Sequence, residues 1–369
     1  MATGPRSALK QALIPALAAA LAVAGPAATA QSSTDERIAP DGTVTLDGVR
    51  IGIPGTLSPE AKVYLRHLIV DKPFGTPVDG IANERKRQDG IMGEFLRPMR
   101  DRYKVDVTRQ TIAGIVTDVV VPAEGIAPQN RDRVLINVHG GGFTTGAHSA
   151  ALVESVPLAA IMKIKVISID YRMAPEYQFP AASEDVEKVY REVLKTYDHA
   201  HIGLYGCSAG GLLTAQSTAR FDAQGLPMPA AIGVFCAGLN GYFGGDSTAL
   251  AGPLLGMLPP PPGAAPPSRP SASGPSYLET ARADDPLAYP IVSPDLLAKF
   301  PPTLFITGTR GFEFSSALNS HNKLTAAGVE SQFHGWDGMF HGFFYNSELP
   351  ESREAYDVMV KFFDSHLGK

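Results

Sequence analysis

HIGLYGCSAGGLLTA, residues 201–215, decides how this 369-residue chain is read. An apolar, β-rich run, HIGLY, passes straight into Gly206-Cys207-Ser208-Ala209-Gly210 and then into a helical pattern that begins at Ala209. A Gly-x-Ser-x-Gly between strand and helix is a sharp elbow: the serine takes a strained backbone conformation and the glycines keep side chains out of the tight turn. Ser208 is therefore expected to stand exposed above a sheet as a nucleophile. The helix behind it points its positive end and free N–H groups at the same spot. The pentapeptide alone recurs by chance, and its strand-turn-helix setting gives it weight.

Outward from the elbow the chain alternates short apolar runs with longer amphipathic ones. VLINV (134–138), KVISID (165–170), HIGLY (201–205), AIGVFC (231–236) and TLFIT (303–307) are almost continuously apolar, as parallel strands buried on both faces must be. Helical patterns lie at roughly 150–163, 182–197, 209–224, 315–327 and 352–367, giving an α/β, doubly wound alternation. VDVTRQTIAGIVTDVVV (105–121) reads as a hairpin at the sheet edge. Two regions fall outside this alternation and are expected to cap the strand ends. One spans about 55–103, with Ala61, Tyr64, Leu65 and Leu68 on one helix face and Met92, Phe95, Leu96 and Met99 on another. The other is the excursion from Asn240 to about Arg282, in which PPPPGAAPPSRPSASGP (259–275) cannot hold regular hydrogen-bonded structure. That segment reads as a surface loop, with a lid edge as the sharper alternative.

Two further motifs carry chemistry. HGGGF, His139 to Phe143, follows the strand VLINV, and its glycines let bare N–H groups approach a ligand oxygen. Gly141 and Gly142, with Ala209, are the expected oxyanion hole, while His139 is expected to hold the loop's shape. GMFHGFF, Gly338 to Phe344, lies between the last strand region (331–336) and the last helix, which makes His341 the preferred general base among nine histidines.

Taken together, HGGGF, VISIDYRMAPEYQFPAASEDV (166–186), GCSAGG, DPLAYPI (285–291) and GMFHGFF stand in the order and spacing of a known family. The chain resembles, over about 104–368, the hormone-sensitive-lipase-like branch of the α/β-hydrolase esterases. The resemblance implies an eight-stranded, mostly parallel core with helices on both faces and a helical cap built partly from the N-terminal region. It also implies no cofactor or metal, and hydrolysis of small carboxylic esters. The expected organisation is a core of 104–239 and 283–369, a cap contribution from 31–103, and a cap insertion at 240–282.

The sequence departs from that family at two places. Relatives usually carry Asp before the nucleophile, where this chain has Cys207; altered hydrogen bonding is expected there, with the thiol directed into the sheet. Relatives also place an Asp about four residues beyond the strand TLFIT, where Gly311 stands. Without a carboxylate on its outer nitrogen, an imidazole loses its tautomer and the stabilisation of its cation, which costs on the order of 10⁴ in turnover. Glu313 is the expected acid, because positions two apart in an extended loop point the same way and its extra methylene extends its reach. Asp337, four residues before His341, is the runner-up, and Asp284 and Asp285 read as a turn starter. The competing role for Glu313 is a solvated charge at the start of a helix. Asp170, Tyr171 and Arg172 read as a structural network beside the oxyanion loop.

Composition narrows the alternatives. A chain that is 44% hydrophobic and 19% charged can bury a large core and is neither disordered nor collagen-like. Its net charge of −5 becomes −7 when Arg6 and Lys10, the only charges in the first thirty residues, are taken away, which speaks against nucleic acid as a partner. Those two charges precede LIPALAAALAVAG and Ala28-Thr29-Ala30, a signal-peptide pattern with cleavage expected after Ala30 and export to the periplasm or medium. The apolar run is shorter than the roughly 20 residues of a bilayer span, so no stable membrane anchor is expected. Two cysteines permit at most one bridge, and two free buried thiols are expected. The partner is a small ester, and the oligomeric state is open, a homodimer included. The rival class is a hydrolase-fold binding protein that has lost its acid; lactones, amides and acetylated sugars remain alternative substrates.

Overall fold

The apolar runs become the middle of one sheet. The computed structural model describes residues 51–75, 77–241, 244–257 and 276–368, together with Gly48. The segment read as a signal peptide, 1–30, and the Pro-rich 259–275 stretch lie outside these residues.

The strands are β1 (Val105–Ile112), β2 (Ile115–Pro122), β3 (Val134–Val138), β4 (Lys165–Ile169), β5 (Ile202–Cys207), β6 (Ala231–Phe235), β7 (Thr303–Gly308) and β8 (Ser331–Trp336). They form an eight-stranded sheet in the order β1-β2-β4-β3-β5-β6-β7-β8. The β1–β2 hairpin joins the sheet antiparallel, and every pairing from β4 to β8 is parallel. Among the described residues the helices are α1 (Pro59–Asp71), α2 (Ile81–Arg102), α3 (Ala150–Met162), α4 (Ala181–Val193), α5 (Ala209–Ala223), α6 (Asp246–Leu254), α7 (Pro294–Leu297), α8 (Phe314–Ala326) and α9 (Pro350–His366).

Every residue of β3, β5, β6 and β7 is buried, and alternate side chains enter two different cores. Val134, Ile136 and Val138 pack with Val186 and Val189 of α4, Leu212 of α5 and Ala317 of α8. Leu135, Tyr205, Leu304 and Ile306 pack on the other face with Val156 of α3 and Phe362 and Phe363 of α9. That two-sided burial is why these strands lack alternation in the sequence, whereas the edge strand β1 alternates and is largely exposed.

Helix ends fall within a few residues of the sequence pattern. The largest difference is α4, which stops at Val193, after which Leu194–Tyr197 continue as turns. Both helices of the 55–103 region form. Ser58 caps α1 by accepting from Ala61 N at 3.1 Å, and its own N and Oγ donate to Glu351 at the start of α9. Arg85 of α2 donates to Thr144 O, Ala174 O and Glu176, tying this helix to the loop after β3.

Candidate active site

The carboxyl ends of β3, β5, β7 and β8 converge, where open α/β sheets bind their ligands. At the end of β5, Ser208 adopts φ 58° and ψ −121°, a left-handed conformation unusual for a non-glycine residue. The turn is pressed against β3: a Cβ on either Gly206 or Gly210 would collide with the carbonyl oxygen of Val138. The sequence GCSAG is thus required by close approach of backbone to backbone.

His341 occupies the loop after β8. Its Nε2 lies 2.9 Å from Ser208 Oγ and its Nδ1 lies 2.9 Å from Glu313 Oε2, while its ring stacks on Phe312 at a centroid distance of 4.4 Å. Glu313 is fully buried, so it is not the solvated helix-start charge of the competing reading. Burial alone would raise its pKa, but the charge of His341 and hydrogen bonds from His341 and Thr307 Oγ1 hold it below the ordinary carboxylate value. The route by which it arrives differs from the sequence argument. The segment is a tight turn, with Gly311 N bonded to Gly308 O and Phe314 N to Gly311 O, and Glu313 itself is helical. The Glu313 carboxylate folds back over Gly311, where a Cβ would lie 2.5 Å from Oε1. The glycine and the displaced acid share one space.

Asp337 is elsewhere, accepting from Thr56 Oγ1 at 2.5 Å and Thr309 Oγ1 at 3.3 Å. Asp284 pairs with Arg282, and Asp285 accepts from Leu287 N in a turn. The acid turn is fastened to α6: Ser247 Oγ donates to Phe312 O and accepts from Ser315 N.

On the opposite side, Gly141 and Gly142 have φ 121° and 63°. The Gly141 carbonyl is held by the backbone and hydroxyl groups of Thr144 and Thr145. Neither Gly141 N nor Gly142 N meets an acceptor among the described residues, and Ala209, at the first position of α5, has no intrahelical partner for its N–H. His139 is buried against Tyr171, with ring centroids 4.4 Å apart, and burial lowers its pKa to about 4 despite the bond between Nδ1 and Gly140 O. Tyr171 OH donates to His139 O at 2.7 Å, and Arg172 binds Asp185 and Glu184. These contacts are those of a loop-holding network.

A cavity of about 160 Å³ opens beside Ser208 and His341, lined by Gly141, Thr145, Gly146, Ala150 and Tyr345 and closed by Gln88 and Met92 of α2. Sequence reasoning put α2 near the strand ends and Met92 on its apolar face without assigning Met92 or Gln88 to the cavity, and it missed Glu154 altogether. Glu154 lies inside the apolar helix α3, and its carboxylate accepts from Asn137 Nδ2, Gly140 N, Cys207 N and Tyr345 OH. A lone acid in AALVESVPLAAIM was its only signal.

Cys207 and Cys236 are free and buried, and burial pushes both thiols up. Cys236 sits one residue beyond β6 and accepts from Gly342 N. Among the described residues one group has the donor set for a metal ion, Cys236, Glu313 and His341, with ligand atoms within 4.8 Å of one another. Two of its three members already bind each other. No helix among the described residues is long and apolar enough to cross a membrane.

A Gly-x-Ser-x-Gly elbow at Ser208, the His341 loop and the Glu313 turn meet at the carboxyl ends of a β1-β2-β4-β3-β5-β6-β7-β8 sheet, the arrangement of a hydrolase core. Residues 135–345 match the family model of the alpha/beta hydrolase fold. The acetyl-hydrolase of Streptomyces hygroscopicus is 30% identical over 268 residues, covering 69% of this chain and 83% of that protein. The crystal structure of an esterase from the bacterial hormone-sensitive lipase family matches with a TM-score of 0.71 at 26% identity, covering 84% of this chain and 99% of that one. An esterase/lipase from an uncultured bacterium matches with a TM-score of 0.67 at 26% identity, over 85% of this chain and all of that one. The chain belongs to the α/β-hydrolase fold family, on the branch of the hormone-sensitive-lipase-like esterases.

Proposed function

We propose that this carboxylic ester hydrolase works as a serine esterase on short-chain esters, with Ser208 as nucleophile, His341 as general base and Glu313 as the acid. The observation that carries the reading is the unbroken relay from Ser208 Oγ to His341 Nε2 and from His341 Nδ1 to Glu313, both links at 2.9 Å. Ser208 Oγ attacks the ester carbonyl as His341 takes its proton. The buried Glu313 carboxylate fixes the imidazole tautomer and stabilises the cation that forms. Gly141 N, Gly142 N and Ala209 N receive the oxyanion of the tetrahedral intermediate. Collapse expels the alcohol, which takes the proton from His341, and water repeats the cycle on the acyl-enzyme.

The acyl chain is expected to be short because the cavity of about 160 Å³ is smaller than the roughly 300–1,000 Å³ of typical ligand pockets. For the described residues we propose a cap contributed by 52–103 and 244–257 over a core of 104–239 and 283–368; the rest of the expected cap segments 31–103 and 240–282 lies largely outside the described residues. The signal-like N-terminus favours an exported enzyme.

Two measurements test this reading. An organophosphonate should label Ser208 in a 1:1 ratio and abolish turnover of p-nitrophenyl esters, with kcat/KM highest for acetate to butyrate. A protein that neither labels nor turns over any chain length would be a binding protein, and a preference for long acyl chains would remove the short-chain assignment.

A further inference from the structure

Glu154 is 4% exposed, and nothing in the proposed reaction uses it. A carboxylate placed wholly inside a protein is costly unless its lone pairs are met. Here four donors converge on it from three separate stretches of the chain. Asn137 Nδ2, at the end of β3, donates at 2.9 Å, and the N–H of Gly140, beside the proposed oxyanion donors, donates at 2.8 Å. The N–H of Cys207, beside Ser208, donates at 3.2 Å, and the hydroxyl of Tyr345, four residues beyond His341, at 2.5 Å. The network extends outward, since Ser168 Oγ of β4 donates to Asn137 Oδ1 at 2.6 Å.

No other side chain bonds directly to the oxyanion loop, the elbow and the histidine loop together among the described residues. Two of the four donors are backbone N–H groups one residue away from groups that must meet substrate. A small rotation of the Gly140 peptide turns the Gly141 N–H with it, and a shift at Cys207 displaces Ser208. Misplacement of reacting groups by about 1 Å costs on the order of 10² in rate.

We propose that Glu154 is a positioning residue for ester hydrolysis. Its carboxylate fixes the oxyanion loop, the nucleophile elbow and the histidine loop relative to one another. The proposal rests on the serine-esterase reading above. Burial raises its pKa to about 7 against the pull of the four donors. The titratable groups around it are Tyr205, Tyr345, Cys207 and Cys236, all pushed upward and hence uncharged near neutrality. Protonation would replace one acceptor by a donor facing donors, of which the Gly140 and Cys207 N–H groups cannot turn to accept.

The test begins with wild-type turnover of p-nitrophenyl acetate and phosphonate labelling, so that failure of the esterase reading is seen separately. In Glu154→Gln, an amide N–H₂ replaces one acceptor oxygen. The expected result is a fall in kcat of about 10² with little change in KM, and a parallel slowing of Ser208 labelling. Glu154→Asp should restore part of the rate. The part of the acid limb of the kcat–pH profile that Glu154 contributes should also disappear in Glu154→Gln. A folded Glu154→Gln with wild-type kcat and an unchanged limb overturns the proposal, as does one that melts earlier yet labels and turns over normally. If Glu154→Gln does not fold, Tyr345→Phe keeps the carboxylate and cuts its link to the histidine loop. A loss of about tenfold in kcat at unchanged KM is then expected, and an unchanged kcat overturns the proposal.

Discussion

The acid turn after β7 and the α3 side of the site each bury a glutamate, and the two carboxyl groups are shifted in opposite directions. Burial raises the pKa of both. At Glu313 the neighbouring His341, which becomes a cation, and the hydrogen bonds from His341 and Thr307 outweigh burial and leave the pKa lowered. At Glu154 the four partners are neutral donors, and they only moderate the rise to about 7. Both kinds of contact favour the ionised form, and at Glu313 the added charge of opposite sign tips the balance against burial. Glu313 therefore suits an electrostatic task and Glu154 a positional one.

The largest test of that contrast removes one charge at a time. Glu313→Gln should lower kcat by about 10⁴, because the imidazole loses its anchored tautomer and its counter-charge. Asp337→Asn, assayed beside it with folding checked by circular dichroism, should stay within about tenfold of wild type, since the hydrogen bonds of Asp337 among the described residues are to Thr56 and Thr309 and not to His341. Equal losses in the two variants would end the assignment of Glu313 as the acid. The loss in Glu154→Gln, about 10², should fall between them.

The shared space at Gly311 gives a sharper version. Gly311→Asp alone should reduce activity, as its Cβ would meet the Glu313 carboxylate at 2.5 Å. Combined with Glu313→Ala, the new carboxylate takes the vacated position, and kcat should exceed that of Glu313→Ala by about 10². A double variant no faster than Glu313→Ala shows that the two positions are not interchangeable.

The two glutamates should also pull stability in opposite directions with pH. The folded-state pKa of Glu154 is raised from its usual value of 4.5 to about 7, so the unfolded chain releases this proton first as pH rises. Its contribution to stability thus declines from about pH 4.5 to 7. Glu313, with a lowered folded-state pKa, contributes stability above its unfolded pKa and loses it as pH falls. In Tm measurements from pH 4.5 to 7, Glu154→Gln should remove a downward slope. The smallest effect concerns the thiols: Cys207 and Cys236, buried and pushed upward, should resist a thiol reagent in the folded protein and leave activity within about twofold. Rapid labelling of either would contradict that.

Much of this arrangement was legible in the sequence because it is local. Strands buried on both faces have to read as unbroken apolar runs, so β3 to β7 announced themselves, and the elbow sits directly between β5 and α5. Glu313 was within reach of local reasoning too, although the expected extended loop is a tight turn and its carboxylate arrives by folding back over Gly311. Contacts across long stretches of chain left no comparable trace. Glu154 meets Cys207 across 53 residues and Tyr345 across 191, and nothing near α3 names those partners. The direction in which α2 faces was equally silent, because amphipathic spacing fixes which side chains turn inward but not which cavity they close.

Gln88 and Met92 place one wall of the substrate cavity on a helix that precedes the whole sheet in the chain. On the serine-esterase reading, the reacting groups and one wall of the cavity are therefore written in separate stretches of the sequence. A chain starting at Val105 would retain Ser208, His341 and Glu313 yet lack that wall. Conversely, residues 81–102 offer a segment whose side chains can be exchanged to change which esters are accepted, without rewriting the reaction itself.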